Sequence, residues 1–173
     1  MSDDREARYA RHLMLPEFGR EGQAALQEST VACIGAGGLG SSALLYIAAA
    51  GIGTIRIIDD DDVEISNLQR QVIHGTKDMG RKKVDSAEER LMDVNPLIKV
   101  EKFAERLDGQ NALEFLHGID LVIDGTDNIP ARYLLNDACE ILGIPWIYAS
   151  VFRYEGQLTV FNHQGSANYR DLF

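Results

Sequence analysis

Short apolar runs alternate with longer amphipathic segments along the chain, and this alternation predicts its fold. The short runs have the length of strands and fall at 30–35, 54–59, 98–103, 120–125, 145–151 and 157–161. The longer segments have helical spacing and fall at 41–50, 80–95, 111–118 and 129–143. This order predicts an α/β fold with a Rossmann-like doubly wound, mostly parallel sheet and helices on both faces. Ligands of such sheets bind at the carboxyl ends of the strands, so the residues after strands one, two and four are the candidates for chemistry.

Composition and charge narrow the class of protein. The chain has 173 residues, of which 45% are hydrophobic and 25% charged, and this composition is typical of one globular unit with one core. Its formal net charge of -10 disfavours partners held by phosphate contacts, so we expect neither nucleic acid nor a membrane as a partner. The apolar stretch 41–53 is too short to span a bilayer, and Cys33 and Cys139 form no CxxC pair. We therefore expect a reduced, cytoplasmic protein.

A glycine-rich loop follows the first predicted strand. It reads GAGGLG, and it places a GxGxxG pattern on Gly35, Gly37 and Gly40 with an additional glycine at Gly38. Such glycines permit a tight turn, and the N-H groups at the start of the next helix attract phosphate. A close turn between strand and helix would also explain the pattern. The context favours nucleotide binding, because Asp59 ends the second strand where an acid that binds ribose is expected.

Basic residues that follow this loop in the chain fit a ligand with more charge than a pyrophosphate. The four successive aspartates 59–62 form a mostly solvated loop, of which only Asp59 is placed for a ribose. The segment SNLQRQ begins at Ser66 and contains Arg70, which together with Lys83 or Lys82 could neutralise a triphosphate. Each of these cations taken alone would also be explained as a surface charge on a helix.

The fourth predicted strand ends in DGTDN, at 124–128. A carboxylate at this edge of the sheet, beside glycines that bind phosphate, is suited to Mg²⁺, which prefers one or two carboxylates together with phosphate oxygens. The alternative is helix capping by Asp127 or Asn128. The two roles are compatible, so both remain open at this point.

Together these motifs resemble the MoeB/ThiF adenylyltransferases, which are related to ubiquitin-activating enzymes. The resemblance runs in order through RYARHLMLPEFGREGQAAL, GAGGLG, DDDDVEISNLQRQ, RKKV, DGTDN and EGQLTVFN. It implies an N-terminal helical segment at 1–28 and an ATP-binding Rossmann-like adenylation domain at 29–173. It also implies a role at the nucleotide for residues at each motif. These residues are Gly38 in the loop, Asp59 on the ribose, Asn67, Arg70 and Lys83 on the phosphates, Asp127 on Mg²⁺, and Ser66 and Asn128 beside the nucleotide.

The resemblance further implies an activity and its partners. Members of the family use ATP and Mg²⁺ to adenylate the C-terminal glycine of a ubiquitin-like sulfur-carrier protein of the MoaD/ThiS type. The acyl adenylate is converted to a thiocarboxylate for molybdopterin, thiamin or cysteine synthesis. Arg11 resembles the arginine that reaches the ATP of the other subunit in a homodimer. Arg11, Arg70, Lys83 and Asp127 are the residues expected to take part in catalysis.

The chain departs from the family pattern in two ways. Many members carry a zinc site whose first cysteine pair lies in a CYRC stretch, whereas this chain has NYRD at 168–171. We expect no zinc and a place in the zinc-free branch, whose longer members carry a rhodanese-type sulfurtransferase domain. The chain also stops at Phe173, before the family's remaining strands, so we expect a fragment.

Two other functions remain as alternatives. A non-catalytic scaffold that binds a ubiquitin-like carrier would keep the fold without turnover. An NAD-linked oxidoreductase would use the glycine loop and Asp59, but the sequence offers it no acid-base pair or substrate domain.

Overall fold

A computed structural model describes residues 2–173 of the chain, with side chains from residue 4 onward. The helices are α1 Ser2–Leu13, α2 Gly19–Glu28, α3 Gly38–Ala50, α4 Lys83–Val94, α5 Ala112–Phe115, α6 Ile129–Leu142 and α7 Tyr169–Leu172. The strands are β1 Thr30–Ile34, β2 Thr54–Ile58, β3 Lys99–Phe103, β4 Leu121–Asp124, β5 Trp146–Phe152 and β6 Glu155–Phe161. Two short 3₁₀ helices, Ile65–Asn67 and Thr76–Asp78, lie between β2 and α4.

Within the described residues the strands form one six-stranded sheet in the order β3-β2-β1-β4-β5-β6. The first five strands are parallel, which confirms the predicted α/β fold with a mostly parallel sheet. The last strand, β6, pairs antiparallel to β5. Only Arg153 and Tyr154 separate these two strands, and a connection of two residues can join only antiparallel neighbours.

The expectation of one core is wrong: each face of the sheet has its own hydrophobic core, because neighbouring side chains of a strand point to opposite faces. On β1, Ala32 and Ile34 pack into the core that includes residues of α6 and β5. Val31 and Cys33 point the other way, into the core formed with α3 and α4. Helices therefore cover both faces of the central strands, as the sequence pattern predicts.

Local signals in the sequence set the ends of the main helices. The predicted apolar face of α4 is largely confirmed, since Val84, Ala87 and Leu91 are buried, and the helix ends at Val94, two residues before Pro96. The helix begins at Lys83 rather than at residue 80, because the backbone of 80–83 instead bonds to that of 61–63.

Helices α1 and α2 pack at the amino end of the sheet, opposite the loops that follow the parallel strands. Tyr9 of α1 is 3% exposed and accepts a hydrogen bond of 2.8 Å from the side chain of Asn95, just past α4. The Tyr9 side chain also packs against Gly51, at the end of α3. Leu15, although apolar, remains 54% exposed. Among the helices of residues 2–173, none is long and apolar enough to cross a membrane.

Candidate functional site

The glycine loop connects β1 to α3 at the carboxyl edge of the sheet. Gly35 has a φ of +92°, in the left-handed region that favours glycine, and its N-H donates to the carbonyl oxygen of Ile58. A Cβ atom on Gly40 would lie only 1.9 Å from the carbonyl oxygen of Gly35, so this turn requires glycine. The first N-H groups of α3 have no carbonyl partner within the helix, and together with its dipole they can attract an anion.

Asp59 lies directly after β2 and holds the glycine loop in place. Its side chain accepts hydrogen bonds from the backbone N-H groups of Ala36 (2.7 Å) and Asp61 (2.9 Å). The residue is 9% exposed, and burial raises the pKa of its carboxyl group, although these two backbone bonds oppose the shift. The carboxylate therefore lies beside the loop, as expected of a group that would bind a ribose there.

The next three aspartates are exposed to solvent, as the sequence predicts. Oxygens of Asp59, Asp60 and Asp61 lie within 4.8 Å of one another, so this loop concentrates negative charge. A backbone bridge between Asp62 and Lys82 joins the loop to the segment before α4. This pairing brings the start of α4 to the site.

The structure distinguishes the two lysines that the sequence leaves open. Lys83 is 5% exposed, and its Nζ atom donates to Oδ2 of Asp61 at 2.6 Å. Lys82 instead has a side chain that is 41% exposed and paired with Asp62. A buried ammonium group near the Asp59 carboxylate is the better placed of the two to meet a phosphate, which favours Lys83.

Arg70 follows the first 3₁₀ helix and lies along the glycine loop. A Cβ atom on Gly38 would be 3.5 Å from Cδ of Arg70, and the Arg70 guanidinium donates to the carbonyl oxygen of Ser66 at 3.3 Å. Asn67, in the same segment, uses its side-chain oxygen to accept the N-H of Glu64. Arg70 and Ser66 are exposed and Asn67 is half-buried, so this segment borders the loop without closing it.

The loop after β4 lies against the glycine loop. Asn128 caps α6, since its side-chain oxygen accepts the N-H of Ala131 at 2.9 Å, which confirms the capping alternative for this residue. The hydrogen bonds of the loop run through Asp124, Thr126 and Asn128, whereas Asp127 is exposed. The Asp127 carboxylate is thus free to meet a ligand at this edge.

The same loop depends on two residues that the sequence analysis did not single out. Asp124 is fully buried and accepts both the N-H and the hydroxyl of Thr126, and burial raises the pKa of its carboxyl group. Arg132, on α6, donates to the carbonyl oxygen of Thr126 at 3.2 Å, and its Nε atom lies 3.5 Å from Oδ2 of Asp124. An arginine one turn after a helix start was the available signal, but its spacing alone is also typical of a surface charge.

Two further buried polar residues, Gln71 and His74, lie behind the glycine loop. The Gln71 side chain is 3.7 Å from the position of a Cβ on Gly37, and its Oε1 atom has no hydrogen-bond partner among the described residues. His74 contacts both Ala36 and Ser86. Their only sequence signal was closeness to Arg70 in the chain.

Arg11 lies apart from the other expected site residues. It belongs to α1, which packs at the last turn of α3, whereas the glycine loop precedes the first turn of that helix. A helix of 13 residues is about 20 Å long. The structure therefore brings Asp59, Arg70 and Lys83 together around the loop but does not bring Arg11 to them within one chain.

The segment that replaces the zinc motif forms a short capped helix. The side chain of Asp171 accepts the N-H of Asn168 at 2.9 Å at the start of α7. Burial raises the pKa of the Cys139 thiol to about 12 and raises that of Cys33 as well. The two thiols also lie in the cores on opposite faces of the sheet, so they cannot bind one metal ion together. The absence of zinc remains a prediction.

Comparison with known proteins gives a consistent family assignment. The probable adenylyltransferase/sulfurtransferase MoeZ of Mycobacterium tuberculosis is 49% identical over 177 aligned positions, covering 100% of this chain and 45% of MoeZ. The sulfur carrier protein adenylyltransferase of Thermus thermophilus is 46% identical, covering 90% of this chain and 58% of that protein. The chain thus spans about half the length of these relatives.

A solved structure and a family model agree with these relatives. The E. coli tRNA N6-threonylcarbamoyladenosine dehydratase TcdA, solved in complex with ATP, matches with a TM-score of 0.79 and 28% identity, over 83% of this chain and 59% of that chain. The sequence model of the ThiF family matches residues 9–173, which is nearly the whole chain. The chain therefore belongs to the ThiF family.

Proposed function

We propose that this chain is the ATP-binding part of an adenylyltransferase that activates the C-terminal glycine carboxylate of a ubiquitin-like sulfur-carrier protein. The observation that carries the proposal is the convergence of the glycine loop, Asp59, Arg70 and Lys83 at one edge of the sheet. Relatives named as adenylyltransferases, and a structural neighbour solved with ATP, support it.

The residue types at this edge suit a displacement at the α-phosphate of ATP. A carrier carboxylate is itself the nucleophile, so the main obstacle is repulsion between two anions. The N-H groups at the start of α3, with Arg70 and Lys83, would hold the phosphates and reduce this repulsion. No covalent nucleophile on the enzyme is required, and both cysteines are buried.

The remaining polar residues would position the nucleotide around these cations. Asp59 would bind the ribose hydroxyls, because its carboxylate lies at the end of β2 beside the loop. Ser66 and Asn67 would face the phosphates from the segment that carries Arg70. Asn128, which caps α6, would lie beside the nucleotide at the neighbouring loop.

Asp127 fits a magnesium ion bound together with the phosphates. It offers an exposed carboxylate on the loop after β4, next to the glycine loop. Mg²⁺ takes few protein ligands and completes its shell with phosphate oxygens and water, so one carboxylate at this position is sufficient. When bound, the ion would neutralise phosphate charge.

Arg11 would act on the nucleotide of a second subunit. Within one chain it lies at the opposite end of α3 from the loop, about 20 Å away by helix length. A homodimer that places α1 of one protomer over the site of its partner would resolve this separation. We propose a cytoplasmic homodimer of this kind, without nucleic acid or membrane partners.

The carrier would then receive sulfur for molybdopterin, thiamin or cysteine synthesis. The relatives that combine adenylyltransferase and sulfurtransferase in their names support a rhodanese-type domain or partner as the next component. The chain itself would supply the activated carboxylate.

Calorimetric titration of the chain with ATP and with NAD, each with and without Mg²⁺, tests the proposal. In the presence of Mg²⁺, the affinity for ATP should be at least about tenfold higher than the affinity for NAD. Tighter NAD binding would favour the oxidoreductase. If ATP binds, pyrophosphate exchange with a purified carrier and the extended protein separates an enzyme from a scaffold, since a scaffold would give no exchange above background.

A further inference from the structure

The backbone N-H and carbonyl groups of Ala36, in the glycine loop, are both held by side chains. Its N-H donates to Asp59 at 2.7 Å. Its carbonyl oxygen lies 3.1 Å from Nε2 of His74 and accepts the hydroxyl of Ser41 at 3.2 Å. Ala36 itself is fully buried. The orientation of this loop therefore depends on three side chains from outside it.

His74 also reaches the helix that carries Lys83. Its other ring nitrogen, Nδ1, lies 2.8 Å from the hydroxyl oxygen of Ser86. Ser86 is three residues after Lys83 on α4, which is close to one helical turn. The imidazole is 6% exposed, so it forms a buried bridge between the glycine loop and the first turn of α4.

The partners of the ring indicate which nitrogen carries a proton when the ring is neutral. A carbonyl oxygen only accepts hydrogen bonds, so Nε2 must carry the proton that faces Ala36. In the neutral ring, Nδ1 is then the acceptor for the Ser86 hydroxyl. Burial lowers the pKa of His74, and the nearby Lys83 ammonium acts in the same direction, which favours this neutral ring.

We propose that His74 is a positioning residue for ATP, which sets the distance between the amides of the glycine loop and the ammonium of Lys83. This inference rests on the proposed function and deepens it. Both groups would bind the same phosphates, and their combined effect depends on a separation that is fixed before the ligand arrives. His74 is the residue that joins the two through one ring. It acts through Ala36 and Ser86 and need not touch the nucleotide.

Two substitutions separate this role from a general contribution to packing. In His74→Gln the amide nitrogen can occupy the place of Nε2 and still donate to Ala36. In His74→Asn the shorter amide reaches only the place of Nδ1. Both variants bury one amide in the same cavity, so their unfolding free energies in urea should be similar. The affinity for ATP with Mg²⁺, measured by calorimetry on the chain, should fall about tenfold in His74→Asn and less than threefold in His74→Gln.

The outcomes distinguish this proposal from the function on which it rests. Equal ATP affinity in the two variants, with a wild-type chain that binds ATP, would overturn the role of His74 alone. A wild-type chain that binds no ATP would overturn both. If either variant fails to fold, ¹⁵N spectra of the wild-type imidazole provide the test. They should show the Nε2-H tautomer both in the free chain and on saturation with ATP. The Nδ1-H tautomer in either state would overturn the proposal.

Discussion

Replacing Lys83 by methionine is the sharpest test of the phosphate site. Methionine fills much of the same volume without the charge. The Lys83 side chain is only 6% exposed, whereas its partner Asp61 is 65% exposed and returns to water when the ammonium is removed. The free energy of unfolding should therefore change by about 1 kcal/mol or less, because an ion pair with one solvated partner contributes little.

The effect on ATP should be much larger. Lys83 would make a charge-assisted hydrogen bond to a phosphate, and such bonds contribute about 1.5–3 kcal/mol. Since about 1.4 kcal/mol corresponds to a tenfold change in affinity, the dissociation constant for ATP should rise roughly 10- to 150-fold. Adenosine lacks phosphates, so its affinity should remain within about twofold of wild type, because the change is far below 1 kcal/mol.

The neighbouring lysine provides a matched control. Lys82 carries the same charge on the same segment, but its side chain is 41% exposed and its Nζ atom donates to the carbonyl oxygen of Asp60. Calorimetric titration with ATP and adenosine should therefore show little change in Lys82→Met. An equal loss of ATP affinity in both variants would show that overall charge, and not the placement of Lys83, controls binding.

Four further predictions concern the loops, the proposed metal ligand and the proposed dimer. In a urea titration, Gly40→Ala should lower the unfolding free energy by about 3 kcal/mol, because the new Cβ would meet the carbonyl oxygen of Gly35. Gly109→Ala is the control and should leave the unfolding free energy nearly unchanged, because its Cβ would meet open space. Asn128→Ala should lower the unfolding free energy by about 1 kcal/mol through loss of the helix cap. Asp127→Ala should leave stability unchanged and lower magnesium-dependent pyrophosphate exchange of the extended protein on the order of a hundredfold. Exchange within a few-fold of wild type would contradict the metal role of Asp127. Mixing Arg11→Ala and Asp127→Ala chains of the extended protein should restore activity through heterodimers with one intact site, and mixtures that stay inactive despite subunit exchange would exclude action in trans.

Much of the fold follows from the sequence, because each strand and helix has a local periodicity. The parallel strands required only the alternation of apolar runs and helical segments. The direction of β6 depends instead on the length of one connection, at Arg153 and Tyr154. The start of α4 depends on a backbone pairing between Asp62 and Lys82, a long-range contact that helical spacing does not encode.

The candidate site could be predicted in part for a similar reason. Asp59 and the glycines lie at strand ends, where sequence position alone indicates the carboxyl edge. The contact of His74 with Ala36 joins residues 38 positions apart in the chain, so no local pattern predicts it. The choice between Lys82 and Lys83 likewise depends on burial, which the structure supplies.

The buried and exposed polar residues at this edge have different tasks. Asp59, Asp124 and His74 are buried, and each holds a backbone or side-chain group of a neighbouring loop. Arg70 and Asp127 are exposed, on segments that border the glycine loop. Burial of a polar group costs free energy unless hydrogen bonds compensate for it, so removing Asp59, Asp124 or His74 should change stability and ligand affinity together. Removing an exposed member should change affinity alone. This separation follows from the architecture, in which buried side chains fix the loops from behind while Arg70 and Asp127 remain exposed at the open edge.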